Sequence, residues 1–453
     1  MKPLPAILVG TIAIGLAAVI SFALAKPLLA SMLILVVALP GLLYLVREMP
    51  DTIILVALLL CFSPIPMKYA NTVIIGFGLF AILADRILRR RTIKFDLVLG
   101  LWATLGLITL ATLPRWTNVL EGLRGIQNLL LIPVIVYVLI ASRIIDERGR
   151  TRIIEYYIPI VISYAILQAL FQFLITALVS QGNWVSSHFL VDLYWGRSNT
   201  LAAIMALFAA YIFGLLQRPS LGALVRLWYI TLLAIAIAVI VAIISRGAIL
   251  ALVAGVVFYA LLRVVTEKEV SVFKWIIYIG TFTLLLSVTM QSYFFALYQR
   301  FFNMKFDMSF FARLYMINDC LVQIRKNLLL GVGPNQYTYK DFFLKLQDPH
   351  NIFLRYGVDF GGISILLVLA ILIIPFVMIY RIARKGVPEA RKIATTLSLV
   401  LLVAVINSQW EAAITKYNYG LLFWTIYAIA VTSLATLRSG SGDSGAVQKP
   451  LLK

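Results

Sequence analysis

The chain has 453 residues, of which 62% are hydrophobic and only 13% charged, and it carries a formal net charge of +20. So little polar surface cannot cover a water-soluble globule of this length, which excludes a soluble enzyme or secreted domain. The composition predicts an all-α polytopic membrane protein whose partners include membrane lipids and an anionic substrate, and no nucleic acid.

Apolar runs of bilayer-spanning length recur along the chain. Taken in order they lie near 4–25, 28–46, 52–64, 70–87, 96–113, 124–142, 153–177, 199–216, 227–244, 247–264, 273–292, 360–380, 393–409 and 418–437. That predicts about 12–14 transmembrane helices, because lipid offers no partner for the backbone groups of any open structure. The first run ends in Ala23-Leu24-Ala25 and imitates a signal-peptide cleavage site, but it is too long to be one. The third is short and is interrupted by Pro64 and Pro66.

Basic residues orient the predicted spans. Arg86, Arg89, Arg90, Arg91 and Lys94 form one cluster; Arg143, Arg148, Arg150 and Arg152 a second; Arg381, Arg384, Lys385, Arg391 and Lys392 a third. An even number of spans separates them, so these loops and both termini are expected in the cytoplasm. Basic residues also outnumber carboxylates on the opposite face, which suits an anionic ligand there.

Four arginines stand at span ends or in the outer loop. Arg124 opens the sixth span; Arg197 precedes the eighth in Trp195-Gly-Arg-Ser-Asn199; Arg246 lies in a tight hairpin, Ser245-Arg-Gly247; Arg313 falls on a helical pattern from Ser309 to Leu330. An arginine at membrane depth is costly unless it faces a polar cavity or a partner. Its planar fork also matches phosphate oxygens, so converging arginines could hold a diphosphate without metal.

The expected organisation is an N-terminal set of spans over 1–292, an extracytoplasmic loop over 293–359, C-terminal spans over 360–437 and a flexible tail over 438–453. Within the loop, Phe342, Phe343, Leu344 and Leu346 suggest a second short helix or an interfacial segment. The loop also holds Gly331-Val-Gly-Pro-Asn335 and Asp348-Pro-His-Asn351. His350 is one of two histidines in the chain. An imidazole there could take a proton from a sugar hydroxyl, with Asp348 or Asp359 either orienting it or serving only as a local cap, whereas His188 reads as a surface residue. Cys61 and Cys320 read as packing residues. Walker A, dinucleotide-binding, His-Glu-x-x-His and Asp-x-Asp patterns are absent from the sequence, so no cofactor and no metal site are expected.

Together these elements resemble the O-antigen ligase/polymerase superfamily of polytopic glycosyltransferases. Ser245-Arg-Gly-Ala248, Arg313, Gly331-Val-Gly-Pro-Asn335, His350-Asn351-x-x-Leu354, Asp359-x-Gly361-Gly362 and Arg197-x-Asn199 carry the likeness, over roughly residues 195–375. Asp359 stands where those proteins usually have Glu, and the span count exceeds their common twelve by about two.

The resemblance implies that His350 is the general base and that Arg246 and Arg313 bind the diphosphate of an undecaprenyl-linked glycan donor. It makes Arg197, Asn199 and Arg124 further contacts to the same anion, with Asn351, Asp359 and Gly333 supporting. It implies a metal-independent, inverting transfer to lipid A-core on the periplasmic side of a bacterial inner membrane. A repeat-unit polymerase of the same superfamily is the nearest alternative, and a membrane transporter the alternative from another class.

Overall fold

A computed structural model describes residues 46–63, 70–89, 92–93, 95–179, 192–193, 195–217, 221–243, 245–266, 308–337, 339–340, 346–347, 349–385 and 388–439. The spans expected near 4–25, 28–46 and 273–292, and the tail beyond 439, lie outside these residues. The described helices are α1 (Thr52–Cys61), α2 (Ala70–Arg89), α3 (Leu97–Thr112), α4 (Val119–Ala141), α5 (Glu147–Thr176), α6 (Ser198–Leu216), α7 (Ala223–Ile243) and α8 (Arg246–Thr266). They continue as α9 (Met308–Lys326), α10 (Ile352–Phe360), α11 (Gly362–Lys385), α12 (Pro388–Asn407) and α13 (Tyr417–Ser439).

Among the described residues seven helices are long and apolar enough to cross a membrane: α3 to α8, and α11. The chain is an all-α polytopic membrane protein. The only extended pairing described is two antiparallel pairs of two-residue strands, Asp192–Leu193 with Gly196–Arg197 and Tyr339–Lys340 with Leu346–Gln347. Leu346, expected in a short helix or an interfacial segment, is in a strand pair, and Phe342 to Leu344 are outside the described residues.

The core lies between α6, α12 and α13. Ala202, Ala203, Ala206, Ala209 and Ala210 give α6 a small surface all round, and every residue from Leu201 to Ile212 is buried. Small residues let neighbouring helix backbones approach where lipid supplies no hydrophobic drive. One buried charge is met by its opposite: Arg152 grips the buried Asp51 with two hydrogen bonds, of 2.8 and 2.7 Å.

Three prolines inside spans show how the bundle satisfies its backbone. A proline has no N–H to give the carbonyl one turn earlier. In α4, Pro133 follows a π-helical turn and the Tyr356 hydroxyl donates to the Leu129 carbonyl at 2.8 Å. In α5, Pro159 follows a second π turn and the Tyr211 hydroxyl donates to the Ile154 carbonyl at 2.6 Å. In α11, Pro375 leaves the Ile371 carbonyl, and the Tyr427 hydroxyl donates to it at 2.8 Å. Each helix break is thus closed from a neighbouring helix rather than by water, and each hydroxyl is worth about 1–3 kcal/mol where its loss would orphan a buried acceptor.

Successive helices reverse direction, so the turns at 112–119, 243–246, 351–362 and 407–417 share one face. The turns at 89–97, 141–147 and 385–388 share the other, and Arg89, Arg143, Arg148, Arg150 and Arg384 sit there. His350 stands on the face opposite these basic residues.

Candidate active site

Asn351 starts α10. Its extended backbone and side-chain Oδ1, which accepts from the Phe353 and Leu354 N–H groups at 2.9 and 3.1 Å, cap the helix. His350 is thereby fixed immediately ahead of the first turn. The Asn351 amide also donates to Gln409 Oε1 at 2.9 Å, and the Ile352 N–H donates to the Ser408 carbonyl at 2.9 Å. These bonds dock the histidine segment onto the turn between α12 and α13.

That turn supplies the imidazole's partner, Glu411. His350 Nδ1 lies 3.3 Å from Glu411 Oε2, and the other carboxylate oxygen receives Lys416 Nζ at 2.7 Å and the Thr200 hydroxyl at 3.1 Å. Lys416 Nζ also donates to Thr200 Oγ1 at 3.0 Å. A carboxylate can only accept, so Nδ1 carries a hydrogen and Nε2 of the neutral ring is left with a lone pair. Burial pushes the Glu411 pKa upward, but the hydrogen bond from His350 and the charge of Lys416 outweigh it and hold the carboxyl well below its usual range.

The same turn meets two of the arginine motifs. Gly247, the residue after Arg246 at the head of α8, lies so close to Trp410 that a Cβ there would stand 2.8 Å from the Trp410 Cβ. Arg246 is half-buried beside this contact. The Arg197-Ser-Asn199 motif runs from the second strand into α6, one turn from Thr200, and Asn199 is half-buried. The structure thus brings His350, Asn351, the Arg246 turn and the head of α6 to one neighbourhood around Gln409, Trp410 and Glu411.

The other predicted residues belong to a second constellation. The last turn of α10 leaves carbonyls without helical donors, and the Gly331-Val-Gly-Pro-Asn335 loop supplies them: Val332 N–H bonds the Val358 carbonyl at 3.0 Å and Gly333 N–H that of Asp359 at 2.9 Å. Gly333 adopts φ +106° against the Trp116 ring, where a Cβ would stand 2.6 Å from Cδ1. Asp359 does not orient the imidazole, as the sequence suggested. Its buried carboxylate receives Arg355 Nε at 2.8 Å and the Asn335 N–H at 3.2 Å, and Arg355 also donates to the Asn335 side chain. Asp348, the other suggested partner, lies outside the described residues.

Arg124 forms an exposed ion pair with Glu121 on α4, in the first turns beside this loop. Its partner is therefore on its own helix, and no described bond brings it to His350. Arg313 is half-buried on α9, whose inner stripe Ala312, Met316, Cys320 and Ile324 is buried, in part against Tyr337 and Val358. Burial pushes the Cys320 thiol up to about 11, so it stays protonated and packs as expected.

Sequence reasoning missed Glu411, Lys416 and Thr200. Glu411 had a readable signal: it is the one carboxylate between two adjacent predicted spans on the His350 side. It also missed Arg115, whose guanidinium binds the Leu330 and Gly331 carbonyls at 2.5 and 3.1 Å and staples the glycine loop to the end of α3.

Residues 231–369 match the protein family described as O-antigen ligase. Over that stretch the chain is similar to the O-antigen ligase family. No curated protein matches the chain. The matched stretch contains Arg246, Arg313, Gly333, His350, Asn351 and Asp359, whereas Arg124, Arg197, Asn199, Glu411 and Lys416 fall outside it.

Proposed function

We propose that this O-antigen ligase-family protein transfers a glycan from undecaprenyl diphosphate to a hydroxyl of lipid A-core, on the periplasmic side of the bacterial inner membrane. The observation that carries the proposal is the His350–Glu411 pair, set in a turn that also packs against the Arg246 turn.

His350 Nε2 takes the proton from the acceptor hydroxyl as that oxygen attacks the anomeric carbon. The bond from this carbon to the diphosphate oxygen breaks with its electron pair going to the leaving group. One displacement inverts the anomeric centre. Glu411 holds the ring and offsets the charge of the imidazolium, the role of the carboxylate in hydrolase triads. Arg246, with Arg313 and Arg197 as further cations, offsets the charge that grows on the departing diphosphate. Arg124 is dropped from this set, because Glu121 already engages it.

The test is transfer by purified protein, with undecaprenyl diphosphate glycan as donor and either lipid A-core or a second lipid-linked repeat as acceptor. Use of lipid A-core supports the ligase, use of the second repeat makes the protein a polymerase, and failure with both while solute moves across vesicles makes it a transporter. Transfer is expected to persist in EDTA; its loss would contradict the guanidinium scheme.

A further inference from the structure

We propose that Trp410 is one wall of a sugar subsite and stacks on the first pyranose of the donor, the ring attached to the diphosphate. The inference rests on the transferase reading and adds the position of the reacting sugar to it.

Trp410 is 45% exposed, although the turn that carries it is tightly held. Its own N–H and that of Glu411 bond the Asn407 carbonyl, both at 3.0 Å, and Asn351 and Ile352 anchor Gln409 and Ser408 just ahead of it. An exposed indole on a pinned backbone is a surface offered in one orientation. The ring is backed by the head of α8, where the missing side chain of Gly247 admits Trp410 Cβ, Cγ and Cδ1 to within 2.8, 3.2 and 3.4 Å of the Cβ position. The glycine that follows Arg246 thereby has a physical task.

The placement follows from the chemistry. The anomeric carbon must lie between the leaving diphosphate oxygen and the attacking hydroxyl. Arg246 directly precedes Gly247, against which the indole packs, and Glu411, which holds the base, directly follows Trp410 in the chain. The group that fills the interval is the first sugar of the donor. A pyranose presents a face of C–H bonds with partial positive charge, which an aromatic face with its negative quadrupole attracts.

The alternative is that Trp410 anchors the turn in the lipid headgroups, as interfacial tryptophans do. Purified Trp410→Ala, Trp410→Phe and Gly247→Ala proteins in nanodiscs separate the two. Donor KM should rise about tenfold in Trp410→Ala and change less in Trp410→Phe, while the acceptor KM stays as in the parent protein. Undecaprenyl diphosphate without sugar should inhibit the parent and Trp410→Ala equally, because it has no ring to stack. Gly247→Ala should raise donor KM without weakening that inhibition, which keeps the proposal open to test if Trp410→Ala does not accumulate. An unchanged donor KM, or an equal loss of affinity for the bare lipid diphosphate, overturns the subsite. If His350→Ala also transfers glycan normally, the transferase mechanism falls; if that variant is inactive and Trp410→Ala is normal, only the subsite falls.

Discussion

Two clusters on one face of the molecule use the same kinds of residue for different ends. Around Glu411, a buried carboxylate receives a half-exposed imidazole and a partly exposed ammonium, so its partners still reach solvent. Around Asp359, 9 residues from His350 in sequence, an equally buried carboxylate receives Arg355 and a backbone N–H, and both side chains of the ion pair are buried. The first arrangement leaves the second imidazole nitrogen clear of the ion pair. The second closes the loop Gly331–Asn335 onto the end of α10 and supports the scaffold. A charged motif residue is informative about reaction only once its partner is known.

The contrast predicts opposite phenotypes for matched substitutions. Asp359→Ala breaks the buried ion pair with Arg355, at a cost of about 3–5 kcal/mol, so membrane abundance and thermal stability should collapse together. Glu411→Gln should leave abundance close to normal while turnover falls about 100-fold or more, since the imidazole loses the anion that orients it. Quantitative blotting with the transfer assay checks both; a stable Asp359→Ala protein, or a fully active Glu411→Gln protein, would erase the distinction.

Arg246→Lys keeps the charge beside Trp410 but loses the planar fork, and about a tenfold or greater fall in kcat/KM is expected without loss of abundance. Wild-type turnover in that variant would reduce Arg246 to a lipid anchor.

A smaller effect concerns acid stability. The Glu411 pKa is lower in the folded protein than in the unfolded chain, so its contribution is fully present above the usual carboxylate range of about 4.3 and is lost as pH falls below it. The difference in Tm between wild type and Glu411→Gln should be constant at neutral pH and shrink below about pH 4; a difference that grows on acidification would contradict the ion-pair description. Smallest of all, Arg124→Ala removes an exposed i,i+3 pair and should cost less than about 1 kcal/mol with transfer retained. Inactivity of a well-folded Arg124→Ala protein would return that arginine to the anion site.

The fold was legible in the sequence because bilayer thickness imposes helix length, and most described spans fall within a few residues of the apolar runs. The errors have local causes. The sixth span begins at Val119 rather than near 124 because Asn118 caps it by accepting from the Glu121 N–H at 3.1 Å. The run near 360–380 starts two residues later, at Gly362, because Gly361, where φ is +96°, ends the histidine helix α10 just before it. Part of the candidate site was legible: His350 and Arg246 stood out as polar groups where apolar chain is the rule. Glu411 was missed because its pairing with His350 joins positions 61 apart through a turn between two other spans, a relation that spacing does not encode. Asp359 was misread for the converse reason: it lies near His350 in sequence, but its partner Arg355 is one helical turn away on the same helix.

The central claim is that His350 accepts the acceptor's proton with Glu411 as its anchor. Glycan transfer by purified His350→Ala protein, measured beside wild type at matched amounts in the same lipid, tests it most directly. Normal insertion and Tm are expected, with transfer lowered at least about 100-fold. Transfer at the wild-type rate by that variant would contradict it.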